Sequence, residues 1–231
     1  MTSVANGIRV AIDGPSGSGK SSVSKKVAAH LGIGYLDTGA MYRALTWYCL
    51  DRGTDLDDLG AVADAATAMP LEMGTDPSAP SISMGGTRID TDIRTTRIAE
   101  VVSKVATNLQ VRPKLQQRQR ELMAQIAADR GGVVAEGRDI TTVVAPDADV
   151  RILMVASEAA RLARRSKELH GGADDAAIAA TRTQIVDRDK ADSTVSSFMS
   201  AADGVVTLDT SDLTFQQSVE AVLTLVERAR G

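Results

Sequence analysis

The sequence has few of the residues that mark secreted, membrane-spanning or disulfide-stabilised proteins. It contains a single cysteine, Cys49, so no internal disulfide can form, and we interpret this residue as part of the core. No apolar run approaches the roughly 18 residues that a membrane span needs, and residues 1–7 lack the apolar centre of a signal peptide. We therefore expect a cytoplasmic protein that does not bind membranes.

Aromatic residues and excess positive charge are scarce as well. Aromatic side chains make up 3 % of the 231 residues, too few for the stacking platforms that bind single strands. The formal net charge of −4 gives no general attraction for nucleic acid, so we expect no such partner. The hydrophobic content of 43 % is sufficient to form the core of one α/β domain with insertions.

The most informative stretch of the chain runs from Gly14 to Ser21 and reads G-x-x-x-x-G-K-S. Glycines let backbone N–H groups approach a phosphate, Lys20 supplies charge for the β- and γ-phosphates, and Ser21 offers a hydroxyl to a Mg²⁺ cofactor. A β-rich run at 8–12 precedes the motif, and a helical period at 22–31 follows it. This order predicts a nucleoside triphosphate site. The predicted binding residues are Gly14, Pro15, Ser16, Gly17, Ser18, Gly19, Lys20, Ser21 and Ser22.

Apolar runs elsewhere predict the remaining strands. Residues 133–135 are fully apolar and 150–155 are apolar apart from Arg151, as is typical of parallel strands covered on both faces, and 205–208 predicts another such strand. A short apolar pair at 35–36 predicts a further one. With the first strand these give a doubly wound α/β fold with about five parallel strands. The predicted helices lie at 40–50, 57–69, 98–109, 113–129 and from 215 onward.

Two stretches differ from this alternation. Residues 71–93 contain prolines, glycines and short apolar pieces, which predict a small hairpin-like insertion. Residues 157–193 are rich in charge, and we interpret them as a helical lid. The predicted organisation is therefore a single domain. Its core comprises 1–40, 114–156 and 194–231, its insert about 41–113 and its lid about 157–193.

The lid prediction depends on arginine spacing. Arg161, Arg164 and Arg165 stand at i, i+3 and i+4, so a helix presents all three on one face. A turn at Gly171-Gly172 would lead to a second helix with Arg182 and Arg188. These arginines could close over a transferring phosphate, although a solvated helical hairpin with ordinary charge pairs remains open.

Alcohol and phosphate acceptors of a phosphoryl group need different side chains. An alcohol acceptor needs a base to take its proton, whereas a phosphate acceptor is largely deprotonated at neutral pH and needs cations instead. No candidate alcohol base is evident. Arginines stand at the ends of several predicted elements, and guanidinium groups match phosphate oxygens well. These are Arg43, Arg94, Arg112 and Arg138.

A set of short segments spread nearly from end to end of the chain forms a recognisable pattern: 12–22, 36–43, 93–95, 102–105, 119–120, 136–139 and 188–189. The loop is generic, whereas 37–43 and 136–139 together are specific. These segments resemble those of bacterial cytidylate kinases. That family transfers the γ-phosphate of ATP to CMP or dCMP, so the resemblance implies these substrates.

The resemblance also implies individual roles. Arg43 and Arg138 would hold the acceptor phosphate, with Thr38 nearby. Ser103, Arg112 and Asp139 would read the cytosine edge, where the Asp139 carboxylate could accept from the 4-amino group and disfavour UMP. Asp192 and Arg188 would reach the sugar and the phosphates. The implied catalytic residues are Lys20, Arg138, Arg165 and Arg188. The implied CMP-binding residues are Asp37, Thr38, Arg43, Ser103, Arg112, Arg138, Asp139 and Asp192.

The chain departs from the family pattern at three places. Val195 stands where an arginine is common, and 197–199 read Ser-Phe-Met where Ser-Pro-Leu is common. The missing cation predicts a weaker hold on the acceptor, or its replacement by Lys190. Thr141 stands where glycine is expected, which would stiffen the turn after Asp139.

The same residues leave three other functions open. The sequence Asp189-Lys190-Ala191-Asp192 superficially resembles the guanine-reading N-K-x-D of regulatory GTP-binding proteins, but it lies in the arginine-rich stretch. A P-loop kinase for UMP or a shikimate-like alcohol is a second alternative. A nucleotide-binding partner protein without turnover is a third. A monomer is expected.

Overall fold

The structure, a computed structural model, describes residues 7–170, 182 and 188–231. A five-stranded parallel sheet forms its centre, with the strand order β2-β6-β1-β7-β8. The doubly wound α/β prediction is therefore confirmed. The strands of this sheet are β1 (Ile8–Asp13), β2 (Gly34–Asp37), β6 (Gly132–Gly137), β7 (Val150–Val155) and β8 (Val206–Asp209).

Strand β1 lies in the middle of the sheet and sets the position of the phosphate-binding motif. Its last residue, Asp13, pairs with Gly137 at the end of β6 and with Leu153 near the end of β7. The loop that follows Asp13 therefore emerges at the carboxyl edge between two neighbouring strands. Ligands of open α/β sheets bind at this edge.

Helices cover both faces of the sheet. Apolar side chains of α1 and α7 pack against one face, with Val27 and Val222 among the residues beside Ile12. Helix α5 covers the other face, where Ile126 packs in a cluster with Val133. The helices are α1 (Lys20–Leu31), α2 (Thr38–Asp51), α3 (Leu59–Ala68), α4 (Thr96–Ala106), α5 (Val111–Arg130), α6 (Glu158–His170) and α7 (Phe215–Arg230).

The predicted insertion is a small antiparallel sheet. It consists of β3 (Leu71–Met73), β4 (Ile82–Met84) and β5 (Thr87–Arg88), followed by a 3-10 turn at Asp92–Arg94. Its apolar residues share a hydrophobic cluster with α2 and α3, where Cys49 is buried as predicted. The division of the chain into core, insert and lid stays a prediction.

Three sequence expectations need correction or lie outside the described residues. Strand β8 is at the sheet edge and exposes 44 % of Val206, so it is not a strand covered on both faces. The helix predicted to reach 109 ends at Ala106, and Leu109 is 70 % exposed beyond it. The turn predicted at Gly171-Gly172 lies outside the described residues.

None of the described helices is both long and apolar enough to cross a membrane.

Candidate active site

The phosphate-binding loop has the backbone that its glycines permit. Gly17 and Gly19 adopt φ angles of +78° and +91°, a region that other residues rarely occupy. Helix α1 begins directly after Gly19, so its free N–H groups face the space in front of the loop. Desolvation lowers the pKa of Lys20, whose Nζ donates to the carbonyl of Pro15 at 3.3 Å.

A cavity of about 680 Å³ opens in front of this loop. Residues 16–22 form part of its wall, whereas Gly14 and Pro15 belong to the loop but not to the wall. A cavity of this size suits substrates as large as nucleotides. The loop thus faces a space large enough for its predicted ligand.

Glu136 is a site residue to which the sequence assigned no role. It lies one residue before the end of β6, beside the loop, where its Oε2 accepts from the Ser21 hydroxyl at 2.8 Å and its Oε1 from the Tyr35 hydroxyl at 2.6 Å. Burial raises the pKa of Glu136, and Asp37 raises it further, while Lys20 and the two hydroxyls oppose the shift. An acidic residue at the end of an apolar run was the available signal.

The Ser21 and Glu136 oxygens fit a Mg²⁺ ion, which prefers hard oxygen ligands and usually keeps water and substrate phosphates as its other ligands. Within the described part of the chain, no group of three or more His, Cys, Asp or Glu side chains could hold a metal alone. The site therefore suits a metal that arrives with a nucleotide.

Six arginines line the same cavity as the loop. Desolvation lowers the pKa of Arg43 to about 10, and the nearby Arg165 contributes. Desolvation likewise lowers the pKa of Arg188 to about 9, with Arg43 and Arg138 contributing. Cations that disfavour one another's charge in this way are typical of a site that binds an anion. The arginines on the cavity wall are Arg43, Arg94, Arg138, Arg164, Arg165 and Arg188.

Each of the three guanidinium nitrogens of Arg138 has a polar partner, and an aromatic ring lies against the group. Its Nη1 donates to Asp189 at 2.6 Å, its Nη2 to the hydroxyl of Ser16 at 2.7 Å, and its Nε lies 2.9 Å from Asp192. The ring of Phe198 covers the guanidinium, with Cζ 4.6 Å from the ring centroid. Arg138 therefore connects the donor loop to the segment 188–198.

Asp189 is a second residue whose importance the sequence did not indicate. Its carboxylate accepts from the backbone N–H of Ser16 at 3.2 Å and also pairs with Arg138 and Arg161. Burial would raise the pKa of Asp189, but Arg138 and these hydrogen bonds lower it. The side chain thus bridges the loop, the end of β6 and α6.

The arginines of α6 divide between two kinds of contact. Arg161 donates to the carbonyl of Ser16 at 2.9 Å, and Arg164 to the carbonyl of Ser18 at 3.3 Å. Both therefore brace the backbone of the loop, in addition to any contact with a ligand. Arg165 lies on the cavity wall. Arg182, on the predicted second helix, pairs with Glu158 at 2.9 Å.

The residues expected to read the base form a buried pair rather than part of the cavity wall. Asp139 Oδ2 accepts from Arg112 at 2.8 Å and from Gln116 at 2.7 Å. Arg112 also donates to the hydroxyl of Ser196 at 2.8 Å. Ser103 is half-buried on α4 and does not line the cavity. The structure thus brings Arg112 and Asp139 together, whereas no hydrogen bond among the described residues joins the Ser103 side chain to either.

Asp37 and Thr38 serve the fold as well as the site. Asp37 Oδ1 accepts from the N–H of Ala40 at 2.9 Å and so caps α2, while its Oδ2 lies 3.8 Å from Arg94. Asp37 is on the cavity wall. Thr38 is buried and donates to the carbonyl of Glu136 at 2.7 Å. Its hydroxyl is therefore engaged by protein.

The departures at 141 and 195 have different surroundings. The Thr141 hydroxyl donates to Asp13 at 2.6 Å, so the threonine adds a hydrogen bond that glycine could not make. Val195 is half-buried in the turn after Asp192. Lys190, considered as a replacement cation, is exposed and does not line the cavity.

A phosphate-binding loop that faces clustered arginines across one cavity on a doubly wound sheet defines a P-loop phosphotransferase. Comparison with known proteins narrows this class. The sequence profile of the family described as cytidylate kinase matches residues 10–228, and the chain belongs to that family. It is therefore a nucleotide-binding kinase.

Curated cytidylate kinases are similar over nearly their whole length. One from Streptomyces avermitilis is 49 % identical over 223 residues, which cover 96 % of this chain and 94 % of that protein. One from Streptomyces coelicolor is 47 % identical and covers 98 % and 96 % of the two chains. One from Rhodococcus opacus is 43 % identical and covers 96 % of each. The expectation of a cytidylate kinase is confirmed, and a regulatory GTP-binding protein is excluded.

Proposed function

We propose that this chain transfers the γ-phosphate of ATP to CMP or dCMP, giving CDP or dCDP and ADP. The observation that supports the assignment of roles is the single cavity that joins the phosphate-binding loop to the arginine cluster. Phosphoryl transfer depends mainly on positioning two substrates and neutralising charge, and this wall supplies groups for both.

The donor nucleotide occupies the end of the cavity formed by the loop. Lys20 and the loop N–H groups bind its phosphates. Leu213, Phe215 and Ser218 line the same cavity as the loop, and Phe215 is 50 % exposed. An apolar surface beside a phosphate site suits a purine base, so we assign the adenine to it. The helical period of α7 did not indicate this role for Phe215.

The acceptor occupies the arginine side. Arg43, Arg138, Arg165 and Arg188 neutralise its phosphate and the transferring group. The buried Oδ1 of Asp192 has no hydrogen-bond partner within the described residues, so a sugar hydroxyl would satisfy it. On these grounds Asp192 contacts the ribose.

The base of the acceptor is recognised by the pair Arg112 and Asp139, with Ser103 retained as a further candidate. Asp139 has its orientation fixed by Arg112 and Gln116, and a fixed carboxylate accepts well from the 4-amino group of cytosine. Uracil presents a carbonyl at that position, which would leave Asp139 facing an acceptor.

Mg²⁺ would be held by Ser21 and Glu136 together with phosphate oxygens, and when bound it neutralises charge on the β- and γ-phosphates. Tyr35 and Ser21 orient the Glu136 carboxylate for this role. A monomeric state and a cytoplasmic location remain predictions, the first of which light scattering of the purified protein can test.

The activity is tested by coupled detection of ADP with ATP, Mg²⁺ and one acceptor at a time. CMP and dCMP should stimulate ADP release strongly, UMP weakly, and AMP, GMP and shikimate not at all. A larger kcat/KM for UMP or shikimate than for CMP would refute the proposed substrate.

The acceptor assignment is tested separately with Arg43→Met. Removal of this cation should raise the KM for CMP by about tenfold or more and leave the KM for ATP nearly unchanged. Arg97→Met is the matched control, because Arg97 is exposed on α4 and lies off the cavity wall. Equal effects of both variants on CMP would contradict the assignment.

A further inference from the structure

Phe198 stands out because it is a large aromatic residue placed directly behind a cation of the site. The chain has two phenylalanines among its 231 residues, and Phe198 is the one that is completely buried. Its ring faces the guanidinium of Arg138, with Cζ 4.6 Å from the centroid. Phe198 itself does not line the cavity, whereas Arg138 does.

We propose that Phe198 is a positioning residue that holds the guanidinium plane of Arg138 in the orientation needed to bind the acceptor phosphate. The inference rests on the proposed role of Arg138 at that phosphate. It assigns to Phe198 a contribution to acceptor binding that acts entirely through Arg138.

The contacts of Arg138 explain why its face matters. Three of its five N–H groups have partners within the described residues: Asp189 at Nη1, Asp192 at Nε and Ser16 at Nη2. One N–H on Nη1 and one on Nη2 are left for a phosphate, and both point outward in the guanidinium plane. The direction of this plane therefore decides whether they can donate to the acceptor phosphate.

The ring of Phe198 does not compete for those N–H groups. It contacts the face of the guanidinium, where the negative potential of an aromatic ring attracts a cation. Because this contact uses none of the N–H groups, the ring helps to fix the plane without competing with a phosphate for them. The ring is fully buried and the arginine side chain is only 13 % exposed, so water weakens this attraction little.

Residues close to Phe198 in sequence also contact arginines of the acceptor side. Asp189 and Asp192 come from the same segment as Phe198, and Ser196 accepts from Arg112 at 2.8 Å. Two arginines assigned to the acceptor are thus contacted by one short stretch. The side chain at Val195 adds no charge there, so the orientation of Arg138 carries more of the acceptor binding.

The experiment replaces Phe198 with phenylalanines that carry one, two and three fluorine atoms. Fluorination withdraws electron density from the ring face while the shape changes little, so packing is retained and the attraction for the cation is lost stepwise. The expected result is a graded rise in the Kd for CMP, reaching about three- to tenfold with three fluorines. The Kd for ATP and the melting temperature should stay nearly constant.

Two further variants separate the possible outcomes. Met199→Leu is the control for substitutions in the segment, because Met199 is 61 % exposed and should leave the CMP affinity unchanged. Arg138→Lys tests the premise and should weaken CMP binding. A flat fluorination series with a weakened Arg138→Lys variant would overturn the inference but leave the proposed function intact. Unchanged CMP binding in Arg138→Lys would overturn the assignment of Arg138 itself.

Discussion

Residues 14–22 present backbone N–H groups from one continuous stretch, whereas the acceptor side uses side chains from five separated parts of the chain, at 37–43, 103–112, 138–139, 165 and 188–192. The loop geometry follows from Gly17 and Gly19 and from the helix that begins at Lys20. The acceptor side instead depends on contacts such as Arg138 with Asp189, which are 51 residues apart in sequence. One half of the site is local and the other is assembled by folding.

This difference decides how each half responds to substitution. A backbone cradle loses one contribution when one side chain is removed, since the N–H groups remain in place. A network of buried charges loses several contacts at once, because each member orients the others. Substitutions at the loop should therefore affect chemistry selectively, whereas a substitution at Asp189, which contacts both the loop and Arg138, should affect binding of both substrates.

The largest effect is expected for Lys20→Ala. Loss of the charge at the β- and γ-phosphates should lower kcat by roughly 10²–10³-fold, the loss seen when one preorganised group of this kind is removed. The Kd for CMP should change little, because the cations assigned to CMP are separate side chains. Steady-state kinetics and calorimetry measure the two quantities.

Lys26→Ala is the matched control for this variant, since Lys26 is exposed on the same helix and lies off the cavity wall. It should behave as the unaltered chain. A large loss of CMP affinity in Lys20→Ala would show that the donor and acceptor halves are not separable in the way described.

The next largest effect is expected for Asp189→Asn, which breaks the bridge between the two halves. The amide can no longer neutralise Arg138 and Arg161, so kcat/KM should fall by about 10- to 100-fold, equivalent to about 1.4–2.7 kcal/mol. The KM values of both ATP and CMP should rise, because Asp189 contacts the loop as well as Arg138.

Asp203→Asn provides the comparison for Asp189→Asn, because Asp203 is an exposed aspartate just beyond the segment 188–198. Its kinetics should be unaltered. A rise in the KM for only one of the two substrates in Asp189→Asn would argue against a bridging role.

The sequence predicted the local structure around the loop well. Gly14 to Gly19 connect β1 to α1 as expected, because a glycine pattern flanked by a strand and a helix encodes its own geometry. The parallel sheet was also accessible, since the apolar runs at 133–135 and 150–155 indicate buried strands. The sequence did not indicate which strand forms the edge of the sheet, and the exposure of Val206 depends on the position of β8 at that edge.

The assembled half could not be predicted in the same way. The sequence shows Asp189 beside Arg188, but only folding shows that its carboxylate accepts from the Ser16 N–H. Glu136 likewise follows an apolar run, yet its position next to Ser21 requires the strand order of the sheet. The sequence shows Phe198 as a departure from the family pattern, but it does not show that the ring contacts Arg138.

Specificity for the acceptor gives a narrower test within the assembled half. Asp139→Asn should reduce the preference for CMP over UMP by about tenfold, because an amide can donate to uracil as well as accept from cytosine. The measurement is the ratio of the kcat/KM values for CMP and UMP. The preference for CMP over dCMP should stay the same.

Asp192→Asn should show the reverse pattern. It should change the ratio of CMP to dCMP and leave the ratio of CMP to UMP unaltered, because Asp192 is assigned to the sugar. Melting temperatures report any loss of stability, since Asp139 belongs to a buried ion pair. If each variant changed both ratios alike, base and sugar recognition could not be assigned to separate carboxylates.

The smallest effect is expected away from the ligands, where Thr141 meets Asp13 at the end of β1. Burial raises the pKa of Asp13 to about 6, and the Thr141 hydroxyl is the largest contribution that opposes the shift. Because the folded-state pKa lies above the usual 3.8, ionisation of Asp13 lowers the free energy of unfolding of the protein as the pH rises from about 4 through 6. Removing the hydroxyl should raise the pKa further and increase that loss.

Thr141→Val should therefore lower the free energy of unfolding by about 1.5–3 kcal/mol at pH 8, where Asp13 is ionised, and by only about 0.5–1.5 kcal/mol at pH 5. Denaturant unfolding at the two pH values measures the difference. Thr141→Ser keeps the donor to Asp13 and should lose much less at pH 8. Equal losses for valine and serine would mean that the hydroxyl does not stabilise the Asp13 carboxylate, and that the threonine serves only to fill space in the turn after Asp139.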